Sequence, residues 1–192
     1  IGKCVRGIAI KDGSTPVVAN NTIVQCQIGI ASFPKYYGVG GRGDCINTIV
    51  WNCTNAIVLQ GDSTLNVSHS AIQGAVPWPG TGNLNDDPLF VSPGDLDFRL
   101  SPVSPCCDAG TNMAWMVDGE DLDGNPRAMG VGVDVGCYEL VPGGFALRIV
   151  SPSGGDAYEV GEDIVVKWLT YGTNWTPGAT LAVHYSMDSG LT

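Results

Sequence analysis

One short segment of this sequence recurs, and the recurrence constrains the fold more than any other feature. Asn21-Thr22-Ile23-Val24 reappears as Asn47-Thr48-Ile49-Val50, and each copy is soon followed by a cysteine, Cys26 or Cys53. A weaker third copy lies within Leu65–Ile72. Self-similarity at a period of about 20 to 50 residues is typical of solenoids, in which each repeat buries its apolar face against the next. The sequence therefore predicts a stacked, elongated fold.

Residues 1–75 consist of short apolar segments separated by turns, without helical periodicity. This density of short strands predicts the coils of a parallel β-helix, an all-β solenoid. Aligning Ile23, Ile49 and Ile72 gives steps of 26 and 23 residues and predicts an inward ladder of isoleucines. We also expect Cys26 and Cys53 to be neighbours, and we expect asparagines to satisfy backbone groups at the turns.

The composition changes twice along the chain. Residues 76–141 are irregular and rich in Pro, Gly and Asp, which predicts a C-terminal cap on the solenoid. Residues 145–192 contain three segments that alternate like sandwich strands, at 146–150, 164–168 and 181–185. Because so few strands cannot close a sandwich, we expect a partial immunoglobulin-like β-sandwich, and a chain that is a mature fragment of something longer.

The net charge argues against a nucleic-acid partner, and the apolar pattern argues against a membrane span. The formal net charge of -10 repels a phosphate backbone, so we expect no nucleic-acid partner. No apolar run approaches the roughly 20 residues that a membrane span needs, so we expect no such span.

The seven cysteines favour disulfides in an oxidising compartment, with at least one thiol left over. None has the Cys-x-x-Cys spacing of a zinc site, and only two histidines are present. The disulfide candidates, whose pairing stays open, are Cys4, Cys26, Cys45, Cys53, Cys106, Cys107 and Cys137. Candidate glycosylation sites in Asn-x-Ser/Thr sequons are Asn20, Asn52, Asn66 and Asn174.

Four segments form an ordered set, Asn83–Val91, Asp97–Gly110, Asp121–Arg127 and Val133–Glu139. Together they resemble the C-terminal end of secreted bacterial right-handed parallel β-helix proteins. The segments Ile149–Gly155, Tyr158–Gly161 and Val166–Trp168 are similar to the opening of immunoglobulin-like repeats on bacterial surface proteins. The resemblance covers nearly all of residues 46–190. It implies a right-handed β-helix with its cap, in a secreted or surface-displayed protein of structural or adhesive role.

One acidic run is a candidate calcium loop, because its side-chain oxygens surround a glycine turn. Its candidate ligands are Asp118, Glu120, Asp121, Asp123 and Asn125. The alternative is a tight turn at Asp123-Gly124, in which Arg127 pairs with Asp121 or Asp134.

A second candidate site is the aromatic insert at residues 33–44, a loop that would grip a ligand with Tyr36, Tyr37 and Arg42. The alternative is a surface excursion whose tyrosines pack back on the wall. Any of the five tryptophans would stack on a sugar where exposed, and Trp175, beside Pro177, is the one we expect to be exposed.

The carboxylates of the repeating segments do not recur at matching positions, so we expect no catalysis and no required cofactor, with calcium as the one candidate metal. They are Asp12, Asp44 and Asp62. We therefore predict a non-catalytic structural or adhesive module of a secreted or cell-surface protein, which assembles into extracellular filaments. Its expected partners are neighbouring copies, the remaining parts of a longer chain, and cell-surface polysaccharide. The alternative is the non-catalytic tail of a β-helix polysaccharide lyase or hydrolase.

Overall fold

The computed structural model describes residues 1–129, 131–141, 145–151, 158–159 and 161–172. The chain divides into two compact units, Ile1–Pro142 and Gly143–Thr192. The described residues form strands, turns and coil, with two short 3-10 helices at Pro93–Asp95 and Ala114–Val117, so the predicted all-β class is confirmed. None of the helices in these residues is long and apolar enough to cross a membrane.

Nine short strands of the first unit form three parallel sheets of three strands each. They are β1 (Arg6–Lys11), β2 (Val17–Ala19), β3 (Thr22–Val24), β4 (Ile28–Phe33), β5 (Arg42–Ile46), β6 (Ile49–Trp51), β7 (Asn55–Leu59), β8 (Thr64–Ser68) and β9 (Ala71–Ile72). Each strand pairs with the strand three places later, in the orders β1-β4-β7, β2-β5-β8 and β3-β6-β9. We call β1–β3, β4–β6 and β7–β9 the three passes of the chain. The predicted parallel pairing of the repeats is confirmed.

The register of these strands differs by one residue from the alignment of the repeated segments. Ile23 pairs with Val50, and Val50 pairs with Ile72. The predicted ladder of Ile23, Ile49 and Ile72 is therefore wrong at its middle residue. Because side chains alternate between the faces of a strand, a shift of one residue sends Ile49 to the other face. Ile49 packs there in a separate core cluster with Leu100.

The turn before β3, β6 and β9 explains this register. Its last residue has a left-handed backbone, with φ of 52° at Asn20, 49° at Asn47 and 46° at His69. Asparagine tolerates this conformation better than most residues with a β-carbon. The three residues stack because β2, β5 and β8, which precede them, are paired in register. Alignment of the turns therefore decides the pairing, and it overrides the identity of the repeated segments.

A series of side-chain hydrogen bonds, the polar ladder, crosses the passes at the residue after this turn. The N–H of Asn21 donates to Thr48 Oγ1 (3.3 Å), and the N–H of Thr48 donates to Ser70 Oγ (3.1 Å). The N–H of Ser70 donates to Asn83 Oδ1 (3.1 Å). The side chains of Asn21, Thr48 and Ser70 each also donate to the backbone carbonyl two residues earlier in the chain. Side chains thus satisfy the backbone groups of the turns, and Thr and Ser do this as well as Asn.

Residues 76–141 are irregular and are tied to the passes by long-range hydrogen bonds. The Asn47 side chain donates to the carbonyl of Thr111 and accepts from the N–H of Thr111, both at 2.8 Å. The N–H of Gly136 donates to the carbonyl of Asn47 (2.8 Å), and the N–H of Cys137 donates to Thr22 Oγ1 (3.1 Å). One antiparallel hairpin, β10 (Phe90–Ser92) with β11 (Asp97–Leu100), interrupts the irregular chain.

The second unit contains one antiparallel pair among its described residues. Strand β12 (Phe145–Ser151) pairs with β13 (Lys167–Gly172), with Phe145 opposite Gly172. The strand predicted at 164–168 begins three residues later than expected. The strand predicted at 181–185 lies outside the described residues.

Candidate functional site

A second left-handed turn position, after β3 and β6, presents polar side chains. Its φ is 55° at Lys3, 55° at Gln25 and 51° at Asn52. These residues follow one another from pass to pass because the residues just before them pair in register. The side-chain amides of Gln25 and Asn52 form no hydrogen bond within the part of the chain that the structure describes. Asn52 is exposed and Gln25 is half-buried.

Two adjoining cavities beside these side chains form what we call the groove. The first has a volume of about 340 Å3 and is lined by Val24, Gln25, Trp51, Asn52, Asp87, Leu89, Phe90, Pro93 and Phe98. The second has a volume of about 230 Å3 and is lined by Gly2, Lys3, Val24, Gln25, Leu96 and Phe98. Val24, Gln25 and Phe98 line both cavities, so the two cavities lie side by side along neighbouring passes.

The hairpin β10–β11 supplies one wall of the groove and is held in a strained backbone. Phe90 and Phe98 meet edge to face, with ring centroids 5.3 Å apart. Leu89, just before β10, and Leu96, in the turn just before β11, have φ of 51° and 63°, which costs a residue with a β-carbon about 1–2 kcal/mol. Strain of this kind persists only where the surroundings impose it, and it concentrates at ligand-binding sites.

The groove combines apolar rings with hydrogen-bonding amides, and Asp87 and Lys3 add one charge of each sign to its lining. Trp51, Phe90 and Phe98 provide ring faces, while the amides of Gln25 and Asn52 can each donate and accept. A sugar ring has the matching chemistry, because its apolar face stacks on aromatic rings and its hydroxyls bind amides. Sequence reasoning treated Trp51 only as one of five tryptophans. The missed signal is the register, which brings residues from distant parts of the chain to one groove.

The predicted binding residues of the insert lie on a loop anchored by a carboxylate. Asp12 Oδ1 accepts from the backbone N–H groups of Lys35 (2.7 Å) and Tyr36 (2.8 Å), and these hydrogen bonds lower the pKa of Asp12. Tyr36 and Tyr37 are 71% and 78% exposed, so their rings do not pack back on the wall. Arg42 is paired with Asp62 at 2.7 Å. Trp175 lies outside the described residues.

The acidic run forms a turn in which the chain itself satisfies the carboxylates. Asp121 accepts from the N–H groups of Asp123 (2.8 Å), Asn125 (2.7 Å) and Glu139 (2.8 Å). Asp123 binds Arg99 through two hydrogen bonds, of 2.6 and 2.9 Å. Asp118 and Glu120 are the other two carboxylates among the predicted calcium ligands. Over the described ranges, no group of three or more His, Cys, Asp or Glu is arranged to hold a metal ion. The contacts favour the structural turn, and calcium binding stays a prediction.

Arg127 pairs with Glu139 at 3.1 Å, and not with the predicted Asp121 or Asp134. Arg127 and Glu139 are 4% and 6% exposed. Glu139 also accepts from the N–H of Asp134 (3.0 Å). Burial raises the pKa of Glu139 to about 8, against the opposing effect of these hydrogen bonds. The ionisable side chains Arg127 and Glu139 thus form part of the interior of this segment.

All seven cysteines are thiols in the structure, and Cys45 and Cys106 are fully buried. Among the sequons, Asn52 and Asn66 are exposed, whereas Asn20 is buried and unsuited to carry a glycan in the folded chain. Asn174 lies outside the described residues.

Comparisons with protein-family models, with curated proteins and with solved structures each found no match.

Proposed function

We propose that this chain is a non-catalytic structural and adhesive module of a secreted or cell-surface protein. In this proposal, residues 1–75 are coils of a right-handed parallel β-helix, residues 76–141 are its cap, and residues 145–192 begin an immunoglobulin-like domain. The groove binds cell-surface polysaccharide.

The supporting observation for the β-helix is the parallel pairing of each strand in one pass with the corresponding strand in the next pass. A chain that repeats three sheets in the same order, with parallel pairing, winds as a solenoid. Parallel strands joined by a crossover connection are right-handed in about 98% of cases, which supports the right-handed winding.

A binding measurement tests the adhesive role. The probes are cellohexaose, a neutral saccharide, and hexagalacturonate, an acidic one, titrated by calorimetry and by tryptophan fluorescence. We expect one of them to bind and to change the emission of Trp51. Phe98→Ala should weaken binding about two- to tenfold, since stacking on one aromatic ring contributes about 0.5–1.5 kcal/mol.

A matched control separates the groove from the tyrosine loop. Tyr36→Ala, which lies on the exposed insert, should leave the affinity unchanged. If Tyr36→Ala abolishes binding and Phe98→Ala does not, the loop is the site and the groove is not. Absence of binding to both probes would contradict the adhesive role.

The outer strands of the first pass support the proposed assembly into filaments. β1 and β2 are outermost in their sheets. Such strands expose backbone groups that can pair with another chain. Sedimentation at several protein concentrations tests this. Growth of the sedimentation coefficient with concentration supports assembly, and a monomer at all concentrations contradicts it.

A further inference from the structure

Three cysteines occupy successive positions of one stack. Gly2 is bridged to Val24, and Val24 pairs with Trp51. Two residues beyond each of these come Cys4, Cys26 and Cys53. Parallel hydrogen bonding continues to this point, because the N–H of Gln27 donates to the carbonyl of Cys4 (2.9 Å) and that of Thr54 to the carbonyl of Cys26 (3.0 Å).

The three thiols share one local arrangement. Each Sγ donates to the carbonyl oxygen two residues before it, at 3.1 Å for Cys4, 3.4 Å for Cys26 and 3.5 Å for Cys53. The side chains of the cysteine stack therefore leave the backbone in the same direction. Neighbouring parallel strands lie about 4.8 Å apart. In-register Cα atoms at that spacing fall within the range of about 4.4–6.8 Å found in disulfides.

The surroundings of the three cysteines distinguish the pair Cys26 and Cys53 from the pair Cys4 and Cys26. Cys26 belongs to the core cluster formed by the three passes, and Cys53 packs against the same cluster. Cys4 is exposed and does not belong to it. Burial raises the pKa of the Cys53 thiol.

We propose that Cys26 and Cys53 form a disulfide that joins the first pass to the second. A small-molecule disulfide such as oxidised glutathione is the oxidant. The half-buried Cys53 thiolate attacks it and forms a mixed disulfide, releasing one glutathione thiolate. The Cys26 thiolate then attacks the Cys53 sulfur, forms the intramolecular bond and releases the second glutathione. Two protein thiols lose two protons and two electrons, and one oxidised glutathione becomes two reduced molecules.

This bond goes beyond the proposed adhesive role and does not depend on it. Of the three cysteines in the stack, it leaves one, Cys4, as an exposed thiol. It also adds a covalent link between the first two passes to the hydrogen bonds and the core cluster that already join them.

Peptide mapping of the full chain tests the pairing. The folded protein is incubated with oxidised glutathione, its remaining thiols are alkylated, and it is digested with trypsin and chymotrypsin. Cleavage after Lys35 and Trp51 separates Cys26, Cys45 and Cys53 into different peptides. We expect a linked pair that contains Cys26 and Cys53, and we expect it to disappear on reduction.

Matched variants make each outcome decisive. Cys4→Ser should leave the Cys26–Cys53 link intact, whereas Cys53→Ser should abolish it. Oxidation should raise the urea midpoint of the wild type and of Cys4→Ser, and should not raise that of Cys26→Ser. A Cys4–Cys26 link in the wild type would overturn the proposed pairing. Complete alkylation of Cys26 and Cys53 after oxidation would overturn the disulfide itself.

Discussion

Replacement of Asn47 by alanine tests how the irregular segment 76–141 is held to the stacked strands. The Asn47 side chain is completely buried, and it makes two hydrogen bonds of 2.8 Å to the backbone of Thr111. These bonds join residues 64 positions apart in the sequence. Alanine removes both bonds and leaves the N–H and the carbonyl of half-buried Thr111 without their partner.

The magnitude follows from two separable effects. A buried polar group left without a partner costs about 1–3 kcal/mol, and because Thr111 is only half-buried its two groups should fall in the lower part of that range, about 2–4 kcal/mol together. The left-handed backbone at position 47, with φ of 49°, costs alanine about 1 kcal/mol. We therefore expect Asn47→Ala to lower the free energy of unfolding by about 3–5 kcal/mol, a large part of the 5–15 kcal/mol that is typical of a domain.

Two further variants separate these effects. Asn47→Gly removes the same hydrogen bonds without the backbone strain, so it should be about 1 kcal/mol less damaging than alanine. Asn52→Ala is the matched control, because Asn52 also has a left-handed φ (51°) but its exposed side chain forms no hydrogen bond within the described residues. It should cost only about 1 kcal/mol.

Urea unfolding followed by tryptophan fluorescence measures all three variants. If the free energy of unfolding falls with the same slope against urea concentration in all variants, each exposes the same surface area on unfolding, and the urea midpoints can be compared directly. If Asn47→Ala is no more destabilising than Asn52→Ala, the contact with Thr111 does not hold the segment, and the reasoning is refuted.

Three other predictions concern the polar ladder and the titrating groups. Thr48→Val should cost about 1–3 kcal/mol in the same urea assay, because the N–H of Asn21 loses its acceptor, and a loss below about 0.5 kcal/mol would contradict the ladder. The free energy of unfolding should fall as the pH rises from about 4.5 to 8, because folded Glu139, with a pKa of about 8, keeps a proton that the unfolded chain releases. Thermal melts across that pH range measure this slope, and Glu139→Gln should flatten it. Oxidation by glutathione should accelerate as the pH rises towards 9, because the pKa of the Cys53 thiol is raised, and a rate independent of pH would exclude the thiolate as the attacking group.

The repeat predicted some contacts correctly and misplaced others for one reason. Cys26 and Cys53 do occupy neighbouring positions, since their spacing equals the true step between the first two passes. Ile23 and Ile49 do not, since their spacing is one residue shorter. A sequence match marks similar residues, but the pairing follows the left-handed turns, where Asn47 stacks on Asn20.

Distant charged and aromatic contacts were less accessible to sequence reasoning. The partner of Arg127 is Glu139 rather than either predicted aspartate, because the choice depends on how an irregular loop folds back. The groove was missed for the same reason: Gln25 and Asn52 meet the hairpin residues Phe90 and Phe98 only after the chain has stacked.

The sequence by itself determined the all-β class and the parallel association of repeated strands, because both follow from short-range periodicity and the need to bury one face of each repeat. The tertiary structure alone decided the register, the partners of the buried charges and the position of the groove. Those features depend on contacts between residues tens of positions apart. Such contacts form only when the turns have brought the strands together, so their partners cannot be read from short stretches of sequence.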